Sequence, residues 1–304
     1  MYTKPHKTFD EQIDLLEKRG LIVNDKQVAK NVLASVNYYR FSGYAIQFMA
    51  DSERKQFKAG VSVDDVLKVM TFDGKLRDLL AEALEHIEID FRAKFAYEHS
   101  KKYGPMGYRD PGNFFSSQRH NDVMAKVKDI IDPPSGSPKE MSIAHLTQKY
   151  GEVPVWAMVE VVPFGSVVRM YQIMRMCDKP QIAMRYYAVD DHKVFDSYIK
   201  HLSVVRNMCA HHSRLWDRTF YGPRLSGIFH SVNWSSMDTR RLFCTLVLIH
   251  YMTRSIPKVC FDRDRWRSEL ISLLKDFQSL PNCNPFRIMG IPSNGFDPVW
   301  WEHQ

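Results

Sequence analysis

The sequence predicts an all-α protein built as a helical bundle. Apolar residues recur every three or four positions over most of the 304 residues, a spacing that gives each helix one buried face. Segments in which apolar and polar residues alternate, as they do in half-buried strands, are scarce. Glycine and proline cluster between the periodic segments, where helices are expected to end.

Three helices are predicted in the first third of the chain. Ile13 and Leu16 mark the first, which Gly20 is expected to end, and the second follows within residues 28–36. The third is the longest and is predicted over residues 72–102, because a continuous apolar stripe runs along it. The stripe consists of Phe72, Leu76, Leu80, Ala83, Ile87, Phe91 and Phe95.

The glycines and proline of residues 104–107 are expected to close the long helix. Three further apolar segments are predicted to be helical. They are residues 156–177, which Pro163 interrupts, residues 198–211 and residues 240–252.

Composition shifts suggest three regions. A small N-terminal helical region is predicted at 1–60, a helical core at 61–255 and a C-terminal appendage at 256–304. Residues 132–138, rich in proline and serine, are predicted to form a surface linker, and the tail over residues 281–304 is predicted to be mostly irregular.

The overall composition is typical of a globular protein with a modest basic excess. Hydrophobic residues make up 44% and charged residues 25%, and the formal charge of +7 is compatible with a polyanionic partner such as nucleic acid. Five scattered cysteines without a C-x-x-C pair favour reduced thiols over a disulfide framework or a zinc site. No apolar run has the form of a signal peptide or a membrane span, so we expect a cytoplasmic protein with no membrane partner.

The residues best suited to chemistry lie in the segment 205–216. Arg206 stays charged and binds phosphate oxygens through two donors, His211 titrates near neutrality, and Asn207 can orient either one. The same residue types also occur as surface pairs or as hydrogen-bonded core groups. A metal site at His201, Cys209, His211 and His212 lacks further ligands, so no metal and no cofactor are expected.

Helix geometry adds a constraint on this segment. Asn207 and His211 are four residues apart and share a helix face. Arg206 precedes His211 by five residues, so the two side chains point about 140° apart at the usual helical pitch. Either the arginine reaches around the helix or a second copy of the segment completes the site, and we predict a homodimer with a composite active site.

Seven separated sequence blocks form an ordered set. They are residues 9–21, 37–44, 72–77, 85–92, 154–160, 164–166 and 206–216. In this order they resemble the Abi-like (AbiD/AbiF) abortive-infection proteins of bacteria, over about two-thirds of the chain. That family resembles the HEPN superfamily, helical bundles whose active members are metal-independent ribonucleases and commonly dimers.

The resemblance implies a function and a set of site residues. The HEPN signature is an arginine, four to six intervening residues and a histidine; Arg206 and His211 match with four between, and His212 with five. The resemblance implies a HEPN-like bundle with an N-terminal helical extension and an irregular C-terminal tail. It further implies an endoribonuclease of phage defence, with Arg206, Asn207 and His211 as catalytic residues. RNA attack by its own 2′-hydroxyl would leave a 2′,3′-cyclic phosphate and a 5′-hydroxyl.

Four further residues are candidates for RNA contact. Tyr39 and Arg40 combine an aromatic ring with a cation, a pattern used for stacking on unpaired bases, although aromatic residues at this density are also typical of a core. His212 and Arg214 lie within a few residues of the proposed phosphate.

Arg92 and His99 also fit the loose signature, but the position of Arg92 four residues after Glu88 indicates an intrahelical pair, and a structural role is expected for His99. An acidic residue of this helix, Glu88 or Glu85, is a candidate for holding Arg206 in place. Two alternatives to the ribonuclease stay open. In one the chain is a module that holds a small structured non-coding RNA, and in the other Arg206 and His211 only bond one another.

Overall fold

The computed structural model describes residues 5–51, 53, 55–134, 136, 138, 140–225, 237–277, 279–280 and 283–301. Within these ranges the chain forms fourteen α-helices and no strand longer than an isolated bridge, which confirms the predicted all-α fold. Parts of the predicted linker and of the predicted irregular tail lie outside the described residues; they are Ser135, Ser137, Pro281, Asn282 and the last three residues.

Three short helices open the fold. They are α1 (Phe9–Lys18), α2 (Lys26–Val36) and α3 (Tyr38–Ala45). The first two were expected from their apolar spacing, whereas α3 was not. Asn37 alone separates α2 from α3; its backbone has a φ of 56°, and its side chain accepts a hydrogen bond from the Arg40 amide at 2.9 Å. Asn37 therefore ends one helix and caps the next.

The long helix α4 (Val63–Tyr103) is the central element of the fold. It begins nine residues before the predicted start, where Ser62 and Asp65 form a reciprocal capping box, and it ends at Gly104, whose φ is 74°. The whole predicted apolar stripe is buried. Helices from every part of the chain pack against α4.

The middle of the chain contributes six helices, the last four of which pack directly on α4. They are α5 (Ser117–Ile131), α6 (Met141–Tyr150), α7 (Val155–Val161), α8 (Phe164–Gln172), α9 (Pro180–Tyr187) and α10 (His192–Ala210). Pro163 separates α7 from α8, as predicted, because proline cannot donate the hydrogen bond that would continue a helix. Residues 173–177, which were included in the predicted helical segment, follow the end of α8.

The C-terminal third contributes four helices. They are α11 (Leu242–Met252), α12 (Arg263–Asp276), α13 (Pro285–Met289) and α14 (Pro298–Trp301). All of α11 is buried. The predicted irregular tail holds two of these short helices, joined by irregular segments.

The residues of the predicted C-terminal appendage pack directly on the bundle. Trp266 of α12 is fully buried, and its indole Nε1 donates a hydrogen bond to the Leu79 carbonyl of α4 at 2.7 Å. Trp300 and Trp301 are buried against Phe243 of α11. The division of the chain into three regions stays a prediction. Among the described helices, none combines the length and the apolar character needed to cross a membrane.

Candidate functional site

The candidate site lies at the C-terminal end of α10. The helix ends at Ala210, one residue before the predicted end. The amide of His212 donates to the Cys209 carbonyl at 3.0 Å and the amide of Ser213 donates to the Met208 carbonyl at 2.8 Å. These two bonds form a Schellman motif, which turns the chain out of the helix directly after the signature.

His212 holds the left-handed position of this turn. Its φ is 52°, a conformation that glycine adopts freely and that costs another residue about 1 kcal/mol. The side chain of His212 is exposed.

Asn207 and His211 share one exposed face at the end of α10. The His211 amide still bonds the Asn207 carbonyl at 3.0 Å, so His211 continues the last turn as the cap residue. Both side chains are exposed, and Val204, one turn earlier on the same face, is 45% exposed. The structure thus places Asn207 and His211 on one face, as their spacing predicts, and a single chain leaves that face open to water.

Arg206 is held by a carboxylate of the central helix. Its Nε lies 2.7 Å from Oε2 of Glu88, a buried residue of α4, while its own side chain stays 39% exposed. Oε1 of Glu88 accepts a hydrogen bond from Nε of Arg92 at 3.0 Å. Glu88 therefore lies between two guanidinium groups. Glu85, the other candidate from the sequence, is exposed.

The guanidinium of Arg92 is buried and forms its hydrogen bonds inside the bundle. Besides Glu88, its guanidinium donates to the carbonyl of Val162 at 2.9 Å and to that of Val159, which fastens α4 to the end of α7. The expected intrahelical pair is therefore present, and Arg92 binds Oε1 of the same carboxylate whose Oε2 pairs with Arg206.

Arg206 and His211 do not bond one another. Arg206 pairs with α4, whereas His211 extends from the exposed face, and no hydrogen bond joins the two within the described part of the chain. The structure therefore does not agree with the alternative in which Arg206 and His211 only bond one another.

A buried carboxylate fixes the segment that follows the signature. Asp73 of α4 is fully buried, and its Oδ1 accepts hydrogen bonds from the amides of Leu215 at 3.1 Å and Trp216 at 2.7 Å. Its Oδ2 accepts from the Tyr44 hydroxyl at 2.5 Å and pairs with Arg77. Asp73 thus joins α3, α4 and the loop over residues 212–216, which we call the signature loop.

Sequence reasoning did not assign a role to Asp73, although it lies in one of the blocks that carry the resemblance. An Asp–Arg pair four residues apart inside an apolar helix was the available signal. Burial and the adjacent Asp73 carboxylate raise the pKa of Tyr44 to about 12, so its hydroxyl keeps the proton that it donates to Asp73.

The aromatic and basic residues of α3 lie beside the signature loop. The guanidinium groups of Arg40 and Arg214 each lie 5.9 Å from the centre of the Tyr44 ring. Arg214 also donates a hydrogen bond to the Gly43 carbonyl of α3, so one of its N–H groups is used within the protein. Tyr39, on the same short helix, is 87% exposed. The four predicted RNA-contact residues thus belong to two adjoining segments.

The residues considered for a metal site do not come together. His201 is buried, with ring nitrogens 3.1 Å from the Tyr221 carbonyl and 2.9 Å from the Thr245 hydroxyl, and burial lowers its pKa to about 4. Burial raises the pKa of the Cys209 thiol to about 12, which disfavours the thiolate that would bind a metal. In the described ranges no group of three or more His, Cys, Asp or Glu residues is arranged for a metal ion.

The second loose signature does not form a site. His99 is buried among the rings of Phe95, Tyr103 and Phe114, and burial lowers its pKa to about 4. Arg92 is occupied by Glu88, as described above. The positions of both residues agree with the structural role that the sequence predicts.

Fold and site together define an all-α protein with an arginine, an amide and a histidine at the exposed end of a helix. The family model described as Abi-like protein matches residues 31–217, more than half of the chain. The chain therefore belongs to the Abi-like family. The matched range includes α3, α4 and the complete signature segment. No curated protein and no solved structure gives a significant match.

Proposed function

We propose that this chain is a metal-independent endoribonuclease of HEPN type that acts in bacterial phage defence by abortive infection. Membership of the Abi-like family supports the defence role. The observation that carries the chemistry is the end of α10, where Asn207 and His211 are exposed while Glu88 holds Arg206 from α4. A cytoplasmic location belongs to the same proposal.

The substrate supplies its own nucleophile in this reaction. The 2′-hydroxyl of RNA loses its proton and attacks the adjacent phosphate, the P–O5′ bond breaks, and the leaving 5′-oxygen takes up a proton to become a 5′-hydroxyl. The imidazole of His211 takes the proton from the 2′-hydroxyl or gives one to the 5′-oxygen, a contribution of about 10²–10⁴-fold. Arg206 stabilises the additional negative charge on the phosphate in the transition state. Asn207 orients the imidazole or the phosphate. DNA lacks the 2′-hydroxyl and is not cleaved.

A homodimer with a composite site explains how Arg206 and His211 could act together although their side chains point in different directions from α10. Arg206 is tied to α4, and the face that carries Asn207 and His211 is open to solvent. A second α10 packed against this face, over the exposed Val204, would bring the arginine of one copy to the histidine of the other and exclude water from the phosphate.

Cleavage by the purified protein tests the activity. We expect RNA fragments with 2′,3′-cyclic phosphate and 5′-hydroxyl ends, formed in the presence of EDTA, and no cleavage of the matching DNA. His211→Ala should lower the rate by at least 100-fold. His212→Gly, which relieves the left-handed backbone and leaves His211 in place, is the matched variant. Equal cleavage by wild type, His211→Ala and His212→Gly would refute the proposal, whereas a loss confined to His212→Gly would assign the proton transfer to His212.

Mixing two inactive variants tests the composite site. Arg206→Ala and His211→Ala are refolded or co-expressed in equal amounts, so that half of the dimers contain one copy of each. If arginine and histidine act across the interface, one intact site forms in each mixed dimer, and activity returns to about a quarter of the wild-type value. A mixture that stays inactive while forming dimers would show that both residues act within one chain.

The exposed aromatic and basic surface favours a second candidate, a module that holds a small structured non-coding RNA with little cleavage. Tyr39 is 87% exposed next to the Arg40–Tyr44–Arg214 group. RNA that co-purifies with His211→Ala and is lost in Tyr39→Ala, with no cleavage by wild type, would support this candidate. The salt dependence of binding would report how many phosphate contacts contribute.

A further inference from the structure

A basic cavity lies beside the first half of α10, towards the opposite end of this helix from His211. Its volume is about 270 Å³. Residues of α10, the last residue of α8 and the chain at residue 224 form its walls, and the lining consists of Gln172, Lys193, Asp196, Ser197, Lys200 and Arg224. None of these belongs to the proposed catalytic residues or to the four candidates for RNA contact.

The cations of this cavity exceed its carboxylates. Lys193, Lys200 and Arg224 are exposed, and none of them forms an ion pair in the part of the chain that the structure describes. Among the described lining residues Asp196 is the one carboxylate, and its Oδ2 lies 2.7 Å from Nζ of the buried Lys179. A cation outside the lining thus compensates Asp196, and three positive charges line the cavity.

Hydrogen bonds to α10 fix the backbone that carries Arg224. The Arg224 amide donates to the Ser197 hydroxyl at 2.9 Å, and that hydroxyl donates to the Val194 carbonyl at 2.7 Å. Three residues earlier, the Tyr221 carbonyl lies 3.1 Å from Nδ1 of His201. Both contacts tie this segment to α10, so the backbone of the third cation holds a fixed position relative to the two lysines.

One face of α10 connects the cavity to the signature. Steps of four, three, four, three and four residues, the spacing of a single helix face, separate Lys193, Ser197, Lys200, Val204, Asn207 and His211. Ser197 is partly buried, and the other five are exposed. At about 1.5 Å per residue, Lys200 lies about 16 Å and Lys193 about 27 Å from His211 along the helix.

We propose that this cavity binds the phosphate backbone of a single RNA strand whose scissile phosphate lies at His211. The position of that phosphate rests on the proposed function. Lys193 and Lys200 lie two turns apart, about 10 Å along the helix, a spacing that suits successive phosphates of one strand better than a single small anion. A stacked strand advances about 3.4 Å per nucleotide, so it reaches Lys200 within about five nucleotides of the cleavage point and Lys193 within about eight. Contacts to phosphates position a strand without reading its bases, so the cavity adds affinity and no sequence preference.

The cavity and the proposed dimer contact occupy different parts of the same helix face. A second α10 packed over Val204 covers the turns after Lys200, whereas Lys193 lies three turns before Val204 and stays open to solvent. Each copy of the dimer thus keeps a cavity for a strand that leaves the composite site.

RNA binding to the His211→Ala chain tests the inference without interference from cleavage. The probe is a labelled single-stranded RNA of about twelve nucleotides, long enough to reach from His211 past Lys193. We expect the triple variant Lys193→Gln, Lys200→Gln and Arg224→Gln to bind it at least tenfold more weakly. The slope of log K against log salt concentration should become less steep by about 2, because each phosphate contact on a single strand contributes about 0.7.

A matched triple variant makes the same change of charge elsewhere. Arg119, Lys126 and Lys128 are exposed on α5, and none of them lines the cavity. Their replacement by glutamine also removes two lysines and one arginine. We expect this variant to bind the RNA within about twofold of the parent, because salt screens exposed charges beyond about 10 Å. All six replaced side chains are exposed, so both variants should fold, and urea unfolding checks this.

Acetylation of lysines supplies a readout specific to the site. Saturating RNA should slow the modification of Lys193 and Lys200 several-fold, measured by mass spectrometry of the His211→Ala chain. Lys126 and Lys128 serve as internal references and should react at unchanged rates. Equal protection of all four lysines, or protection of none, would overturn the inference.

The binding results separate this inference from the proposed function. Cleavage by wild type together with equal RNA affinities of the two triple variants would overturn the inference alone. Loss of binding confined to the cavity variant, with no cleavage by wild type, would contradict the ribonuclease and retain the cavity as an RNA-binding site. Saturable binding of AMP that the cavity variant abolishes, with its RNA affinity unchanged, would overturn the inference in favour of a small-molecule site.

Discussion

At the residue scale, Glu88 links the signature to the core. Its Oε1 accepts a hydrogen bond from Arg92 within α4 and its Oε2 forms an ion pair with Arg206 of α10, so a buried carboxylate holds the partly exposed Arg206. The sequence left Glu88 and Glu85 as equal candidates for this role. Burial decides between them, because Glu88 lies beside the apolar stripe and Glu85 points to solvent.

Glu88→Gln is expected to act on the rate of cleavage. The amide keeps an acceptor for Arg92 but loses the charge that holds Arg206, so we expect kcat to fall about tenfold with KM nearly unchanged, and the free energy of unfolding to fall by about 1–3 kcal/mol. Steady-state kinetics and urea unfolding measure the two effects separately. Glu85→Gln, one turn earlier and exposed, should change neither. A folded Glu88→Gln protein with wild-type kcat would limit Glu88 to a structural role.

At the element scale, α4 organises the site through contacts with segments far away in sequence. Asp73 binds the loop after the signature, and Glu88, four turns further along the same helix, binds the end of α10 itself. The two contacts fix both the last turn of α10 and the chain that leaves it. A site on a short exposed helix end thus acquires the rigidity of a 41-residue helix.

Asp73→Asn tests whether this attachment stabilises the fold. The substitution leaves Arg77 without its buried partner and offers fewer acceptors to the amides of Leu215 and Trp216. We expect the free energy of unfolding to fall by about 3–5 kcal/mol. Urea unfolding measures the change. Asp78→Asn, on the exposed side of α4, should stay within about 0.5 kcal/mol of wild type, and a comparably small loss in Asp73→Asn would contradict the role assigned to its carboxylate.

At the scale of the whole molecule, buried histidines couple stability to pH. Burial lowers the pKa of His99 and His201 to about 4, whereas an unfolded histidine titrates near its ordinary value of 6.5. Between these values the unfolded chain binds more protons than the folded one. The neutral imidazoles therefore make their full contribution to the free energy of unfolding above pH 6.5. This contribution is lost progressively as the pH falls towards 4.

Unfolding at two pH values tests this coupling. From pH 7.5 to pH 5.0 each histidine should remove about 2 kcal/mol from the free energy of unfolding. His99→Phe keeps the ring contacts with Phe95, Tyr103 and Phe114 and should reduce the loss by about that amount. His145→Gln, an exposed control, should keep the wild-type pH dependence. An unchanged dependence in His99→Phe would contradict the assignment.

The sequence by itself determined the features that depend on local spacing. These are the all-α class, the central long helix, the break at Pro163, and the common face of Asn207 and His211. Each follows because helical periodicity and chain breakers act within a few residues. The short helix α3 and the two short helices of the tail escaped prediction, since their apolar patterns are too brief to stand out.

Only the tertiary structure decided which distant residues meet. The contact of Glu88 with Arg206 and the bonds of Asp73 to the signature loop join positions more than a hundred residues apart. The apolar spacing of the sequence does not predict such contacts, because they depend on how the packed faces of the helices align. The candidate catalytic residues were therefore visible in the sequence, whereas the groups that hold them became visible only when the helices were assembled.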